Sequence, residues 1–186
     1  MDAIEAIRTR RSVGKLDGDV SAEDVRELVS LALCAPNHKL TNPWRFIALR
    51  GAARERLGEV WASAAGTLPV PPGVEREAFL SKERRKPLRA PVLIVAATRT
   101  AHDPVQAEED FAACAAAVQN LLLAAHAKGL GAMWRTGEMA HDSRVKSHLG
   151  LDATDRIVAF VYLGRPAMPP PSVPARDAGD YLVECD

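Results

Sequence analysis

Cysteine is scarce in this chain of 186 residues: Cys34, Cys114 and Cys185 lie far apart, and no CxxC pair is present. That excludes a zinc ribbon and a redox dithiol, and an odd, low count suits a reducing compartment. Net charge is lacking too. Lysine plus arginine number 24, as do aspartate plus glutamate, so there is no broad basic footprint for nucleic acid. The opening MDAIEAIRTRRS has no apolar centre of the kind a secretion signal needs. The longest apolar stretch, between Asp110 and Lys128, is broken by Gln119, Asn120 and His126. It falls short of the roughly 20 residues of a membrane span. The expectation is a soluble, cytoplasmic protein with neither membrane nor nucleic acid as partner. No P-loop, GxSxG elbow or HExxH helix occurs. Gly129-Leu130-Gly131 lacks the third glycine of a dinucleotide fingerprint and follows a helix, which argues against a Rossmann domain. The five histidines are scattered, and no metal site is expected.

What remains is an ordinary globular mixture, 47% apolar and 26% charged. Its length fits one domain over residues 1–186, with no repeat or internal linker. The apolar spacing predicts helices over 2–11, from Ser21 to Pro36, over 52–65, 75–86, 106–128 and 142–149. Short apolar runs predict strands over 44–50, 91–98, 130–135 and 156–163. The helix from 106 is apolar nearly all round from Phe111 onward. Such a helix is buried on several sides, inside the domain or against a second subunit. Five of the nine residues 166–174 are proline, so an extended tail is expected, with Tyr181 to Val183 as an edge strand. The order implies a mixed α/β arrangement with few strands and much helix.

Three constellations stand out. Arg8-Thr9-Arg10-Arg11-Ser12 follows a short helix. It reads either as cations on a helix C-terminus or as an anion cradle of guanidinium forks and a hydroxyl. Asn37-His38-Lys39-Leu40-Thr41-Asn42 is a polar loop bounded by Pro36 and Pro43, which suits a binding surface. Met133-Trp134-Arg135-Thr136-Gly137 ends a strand with an indole, a cation and a hydroxyl before a glycine. Together they would make a receptor for a phosphorylated planar cofactor. A thiol–imidazole pair between Cys34 and His38 is the rival chemistry. Pro36 lies between the two, and Cys34 reads more simply as a small buried hydrophobe.

Taken in order, RRS, APNHKLTNPW and WRTG resemble the nitroreductase family, in its small branch, and the closing YLGRP resembles that family's last core strand. The likeness runs over essentially the whole chain. It implies an α+β fold with a mixed sheet surrounded by helices, working as an intertwined homodimer with FMN at the interface. By resemblance, Arg10, Arg11 and Ser12 would hold the FMN phosphate and ribityl chain. His38 and Asn42 would reach the flavin from the second subunit, Trp134, Arg135 and Thr136 would line its ring system, and Arg176 would help with phosphate. The protein would supply no catalytic side chain of its own, since FMN carries the chemistry. Hydride would pass from NADH or NADPH through flavin N5 to a small-molecule acceptor, nitroaromatic or quinone-type, in ping-pong order. The sequence does not rank Lys39, Lys128 and Arg135 as contacts for a 2′-phosphate. Segment 67–89 is the expected lid. Gly14 stands where the family commonly has another arginine, Asn42 where it often has glutamine, and Asn37 where it often has an acid. These departures imply weaker FMN binding and leave a flavin-binding carrier or sensor without turnover as the alternative.

Overall fold

The computed structural model describes residues 1–101, 103–172, 174 and 176–185. Six helices and five strands run in the order α1 (Ala3–Thr9), β1 (Leu16–Asp17), α2 (Ala22–Ala32), β2 (Trp44–Arg50), α3 (Ala52–Ala65), α4 (Arg76–Arg84), β3 (Val92–Thr98), α5 (Pro104–Ala127), β4 (Gly131–Arg135), α6 (Ser143–His148) and β5 (Arg156–Pro166). The architecture is α+β.

β5 is the hub of the sheet. β3, β4 and β1 all pair with it, and β2 pairs with β3, every ladder antiparallel. The parallel link is a single bridge, Ser12 to Ala132. Side chains alternate across the pleat. Val92, Ile94, Ala96, Val161 and Leu163 face a core shared with α2 and α5. Leu93, Val95, Phe160 and Tyr162 face a second core under α3 and α6. β3 is buried on both faces, which is why it reads as an unbroken apolar run rather than an alternating one.

Local chemistry sets the helix ends. Ser21 accepts from the Asp24 amide and starts α2 as expected. α5 begins two residues earlier than its apolar pattern suggests, because Asp103 caps the amides of Val105 and Gln106 with Pro104 in the first turn. At its other end Gly129 takes φ +73°. The amides of Gly129 and Leu130 then close on the carbonyls of His126 and Ala125, both at 2.9 Å.

Several expectations need correction. α5 has 24 residues and is long and apolar enough to cross a membrane by length and composition. Here it lies in the first core, along the sheet and against α2. Tyr181 to Val183 form no strand. A short turn over Ala178–Asp180 is capped by Asp177, and the three residues beyond it are exposed. Leu16–Asp17, two residues long, was too short to leave a pattern. Cys34 is exposed rather than buried.

Candidate functional site

α1 ends at Thr9, and the chain leaves it extended along β4. Ser12 bridges Ala132, and the Val13 amide donates to the Ala132 carbonyl at 3.1 Å. Part of the arginine cluster closes the helix end. Arg11 Nη1 donates to the carbonyls of Arg8 (2.7 Å) and Arg10 (2.8 Å), so part of this guanidinium closes the helix end. The rest of the cluster is uncompensated. Among the described residues no carboxylate lies within 4.0 Å of Arg8, Arg10, Arg11 or Arg176. Burial, and then the neighbouring Arg11 charge, lowers the Arg10 pKa from its ordinary value. Arg176 comes back along the proline-rich tail to line a recess of about 880 Å³ with Arg10, Arg11 and Ser12. Guanidiniums without acid partners beside a hydroxyl are the donor set that a phosphate group requires.

The strand-end constellation, Met133 to Gly137, splits across the sheet. Trp134 faces the first core, and its indole N–H donates to the Val158 carbonyl at 3.1 Å. Its side chain is therefore a packing element, and its backbone lies in the ladder opposite Val161. Arg135 faces the opposite side. With Gly14, Arg89 and Tyr162 it lines a cavity of about 210 Å³. Burial pushes the Tyr162 phenol up to about 12, so it is a protonated donor there. Thr136 opens onto a third cavity of about 370 Å³. The three hollows thus follow the paired segments 12–14 and 132–136 in sequence.

The loop constellation, Asn37 to Asn42, is built against strain. Lys39, Leu40 and Asn42 all have φ near +50°, a region that costs about 1–2 kcal/mol for a residue with a side chain. Asn37 holds the turn: its Oδ1 accepts from the Asn42 amide at 2.7 Å and its Nδ2 donates to Thr41 at 3.0 Å. Thr41 in turn donates to the buried Asp110 at 2.5 Å, which also accepts from Gln106 at 3.1 Å. Asn42 spends its side-chain N–H on the Leu40 carbonyl. His38 stays exposed, with Nε2 4.0 Å from Glu109. Such over-determined strain is concentrated at functional loops.

Within one chain the loop does not meet the arginine segment. It is docked at the N-terminal end of α5, by Glu109 and Asp110. The arginine segment is docked at the C-terminal end, where His126 Nε2 lies 2.8 Å from Thr9 Oγ1. At 1.5 Å per residue these ends are about 25 Å apart. Sequence reasoning missed Gln106 and Asp110, although a polar pair four apart in front of an apolar run was legible. It also missed Arg89 and Tyr162, which topology brings beside Arg135. The thiol alternative has no geometry. Cys34 Sγ lies 3.7 Å from the Ser30 carbonyl while His38 turns to Glu109, and burial pushes the Cys114 thiol up to about 12.

The nitroreductase family model matches residues 7–165. YdjA of Escherichia coli (strain K12), a provisionally named NAD(P)H nitroreductase, is 33% identical over 171 residues, covering 90% of each chain. A nitroreductase-like protein from Bacillus cereus has a similar solved structure, with TM-score 0.86, 25% identity and coverage of 100% and 97%. Another, a provisionally named nitroreductase from Desulfovibrio desulfuricans solved in complex with FMN, has TM-score 0.74, 28% identity and coverage of 100% and 99%.

Proposed function

This chain belongs to the nitroreductase family, and from that premise we propose that it reduces small nitroaromatic or quinone-type acceptors, in ping-pong order, at a site completed by a second copy of itself. It is an FMN-dependent oxidoreductase with NADH or NADPH as donor. When bound, FMN supplies the redox chemistry, accepting hydride equivalents from the nicotinamide and releasing them to the acceptor.

The observation that carries this reading is the acid-free recess in which Arg10, Arg11, Ser12 and Arg176 meet from the two ends of the chain. The residues fit the cofactor. Arg10, Arg176 and the uncommitted part of Arg11 hold phosphate, and Ser12 serves the ribityl chain. Gly14, Arg135 and Thr136 continue the track toward the ring system, with the Trp134 backbone behind it. Arg135 and Arg89 place positive charge beside that track, which favours a reduced, anionic ring. No general acid or base is required of the chain.

His38 and Asn42 are about 25 Å away along α5, too far for one mononucleotide to touch both groups in one chain. A two-fold axis that packs two α5 helices antiparallel brings the N-terminal end of one against the C-terminal end of the other. His38 of the partner subunit then reaches this chain's site. Exposed apolar side chains at Ile4, Ile7, Leu40 and Val105 support a covered face there. The exposed Tyr181 to Val183 fit a tail that wraps the second copy. Of the cations available for a 2′-phosphate, Lys128 is already engaged by Asp24 at 3.2 Å and Glu27 at 2.5 Å, which leaves Lys39 and Arg135.

The test is the visible absorption spectrum of the purified protein, before and after denaturation. FMN released at about one per chain is the expected result. A colourless protein that also fails to bind added FMN refutes the reading. A yellow protein that NADH and NADPH both fail to bleach is a carrier or sensor instead.

A further inference from the structure

Asp110 is a buried group that flavin binding leaves unused. It lies in the second turn of α5 and is 3% exposed. Among the described residues no cation stands within 4.0 Å of it. A carboxyl held out of water without a cation is unfavourable, so its contacts matter. One oxygen makes them both. Oδ1 accepts from the Thr41 hydroxyl at 2.5 Å and from the side-chain amide of Gln106, one turn earlier and also buried, at 3.1 Å. The Gln106 bond fixes the carboxyl on the helix. The Thr41 bond crosses 69 residues of sequence to the loop.

The loop's other bonds are internal. Asn37 holds Thr41 and the Asn42 amide, the Asn42 side chain donates to the Leu40 carbonyl, and the Leu40 amide donates to the Asn37 carbonyl. These set the shape of residues 37–42, including the positive φ of Lys39, Leu40 and Asn42, which residues with side chains adopt only under constraint. They do not set its place. Among the described residues, Thr41 to Asp110 is the one hydrogen bond from 37–42 to the rest of the fold.

We propose that Asp110 is a positioning residue: through Thr41 it fixes where His38 and Asn42 stand on α5, and so where they enter the flavin site of the second copy. This rests on the flavin reading and the shared site above, and adds the residue that places the shared loop. On that reading α5 is the element that meets its twin. An anchor on it refers the loop to the two-fold axis, and a rigid helix holds such a reference better than a loop does.

The bond is tested from both sides by the FMN dissociation constant, read from quenching of flavin fluorescence. Thr41→Val removes the donor from an exposed loop and leaves both cores untouched. It is expected to raise the constant about five- to tenfold, the loss of one hydrogen bond. Asp110→Ala is expected to raise it at least as far. Asp110→Asn is expected to stay within about twofold of wild type. Oδ2 accepts no hydrogen bond among the described residues, so an amide can stand in its place. A wild-type constant in Thr41→Val and Asp110→Ala overturns the assignment.

Mixed dimers separate positioning from mere support of the chain's own fold. Asp110→Ala chains under one affinity tag are paired with Arg10→Ala, Arg11→Ala chains under another. Such a dimer is expected to bind about one FMN at wild-type affinity, because that site takes its arginines from one chain and its loop from the other. Paired with His38→Ala chains, Asp110→Ala chains are expected to give no such site, because both lesions lie in the loop. Failure of the first pairing overturns the assignment, and so does recovery in the second. The premises fail separately. Wild-type protein without FMN refutes the flavin reading, and His38→Ala chains that regain no site with the arginine variant refute the shared site and this inference with it.

Discussion

The two ends of α5 are built on opposite principles. At the N-terminal end, Asp110 is buried, and its Oδ1 accepts from both Thr41 and Gln106. Around it a loop with three residues in the left-handed region is held in a single shape. At the C-terminal end, Arg10 and Arg176 stand without acid partners among the described residues, beside a large recess. One end spends its polar groups on itself; the other leaves its guanidiniums without a carboxylate among the described residues. On the reading proposed above, the first end positions and the second binds, and one helix holds them about 25 Å apart.

The binding end is the easier to break. Changing Arg10 and Arg11 together to alanine removes two charge-assisted contacts, each worth about 1.5–3 kcal/mol. FMN affinity is expected to fall by roughly 10²- to 10⁴-fold, measured by quenching of flavin fluorescence on titration. Because these side chains lie outside both cores, the far-ultraviolet circular dichroism is expected to match wild type. Unchanged affinity would return the cluster to a helix-end role.

Whether the two ends serve the same site is tested by mixing. Chains carrying Arg10→Ala with Arg11→Ala, and chains carrying His38→Ala, are each expected to be impaired alone. Co-expressed at random, half of the dimers are mixed, and each mixed dimer has one undamaged site. About one site in four is therefore expected to regain wild-type behaviour. No recovery would place His38 outside the site.

The positioning end responds in stability. Asp110→Ala strands the Thr41 hydroxyl and the Gln106 amide, at about 2–3 kcal/mol together, read from urea unfolding. The companion Asp110→Asn keeps an acceptor and is expected to cost about half as much. Equal losses would mean that charge, not hydrogen bonding, holds the loop.

The comparison also explains what the sequence reveals. β3 and β5 were legible because burial on two faces leaves an unmistakable apolar run, and α3 because Gly51 and Gly66 bracket it. Arg10 to Ser12 and Arg135 to Thr136 stood out because cations and hydroxyls cluster locally. Arg89 and Tyr162 were invisible, since each comes beside Arg135 from a part of the chain distant in sequence. Trp134 misleads for a related reason. An indole in a site motif suggests ring stacking, but strand alternation turns it into the core, where Val158 takes its N–H. The left-handed loop escaped notice because none of Lys39, Leu40 and Asn42 is glycine.

The smallest expected effect reports on the charge at the binding end. His126 lies where α1 meets the end of α5. Thr9 donates its hydroxyl proton to the Glu5 carbonyl at 2.6 Å, so the His126 ring, 2.8 Å away, is the donor in their contact. Burial lowers the His126 pKa below its ordinary 6.5, then the Arg10 and Arg11 charges lower it further, with Glu5 opposing them. A proton therefore binds more readily to the unfolded chain than to the folded one. The neutral ring's stabilising share is complete above about pH 6.5 and is lost as pH falls below that toward the folded value. Bound phosphate offsets the two guanidiniums, so the His126 titration, followed by NMR, is expected to move upward when FMN is added. It is expected to move upward also in the double arginine variant without FMN. If neither shifts it, burial alone sets this histidine, and the charge at the binding end does not reach across the 2.8 Å contact that joins α1 to α5.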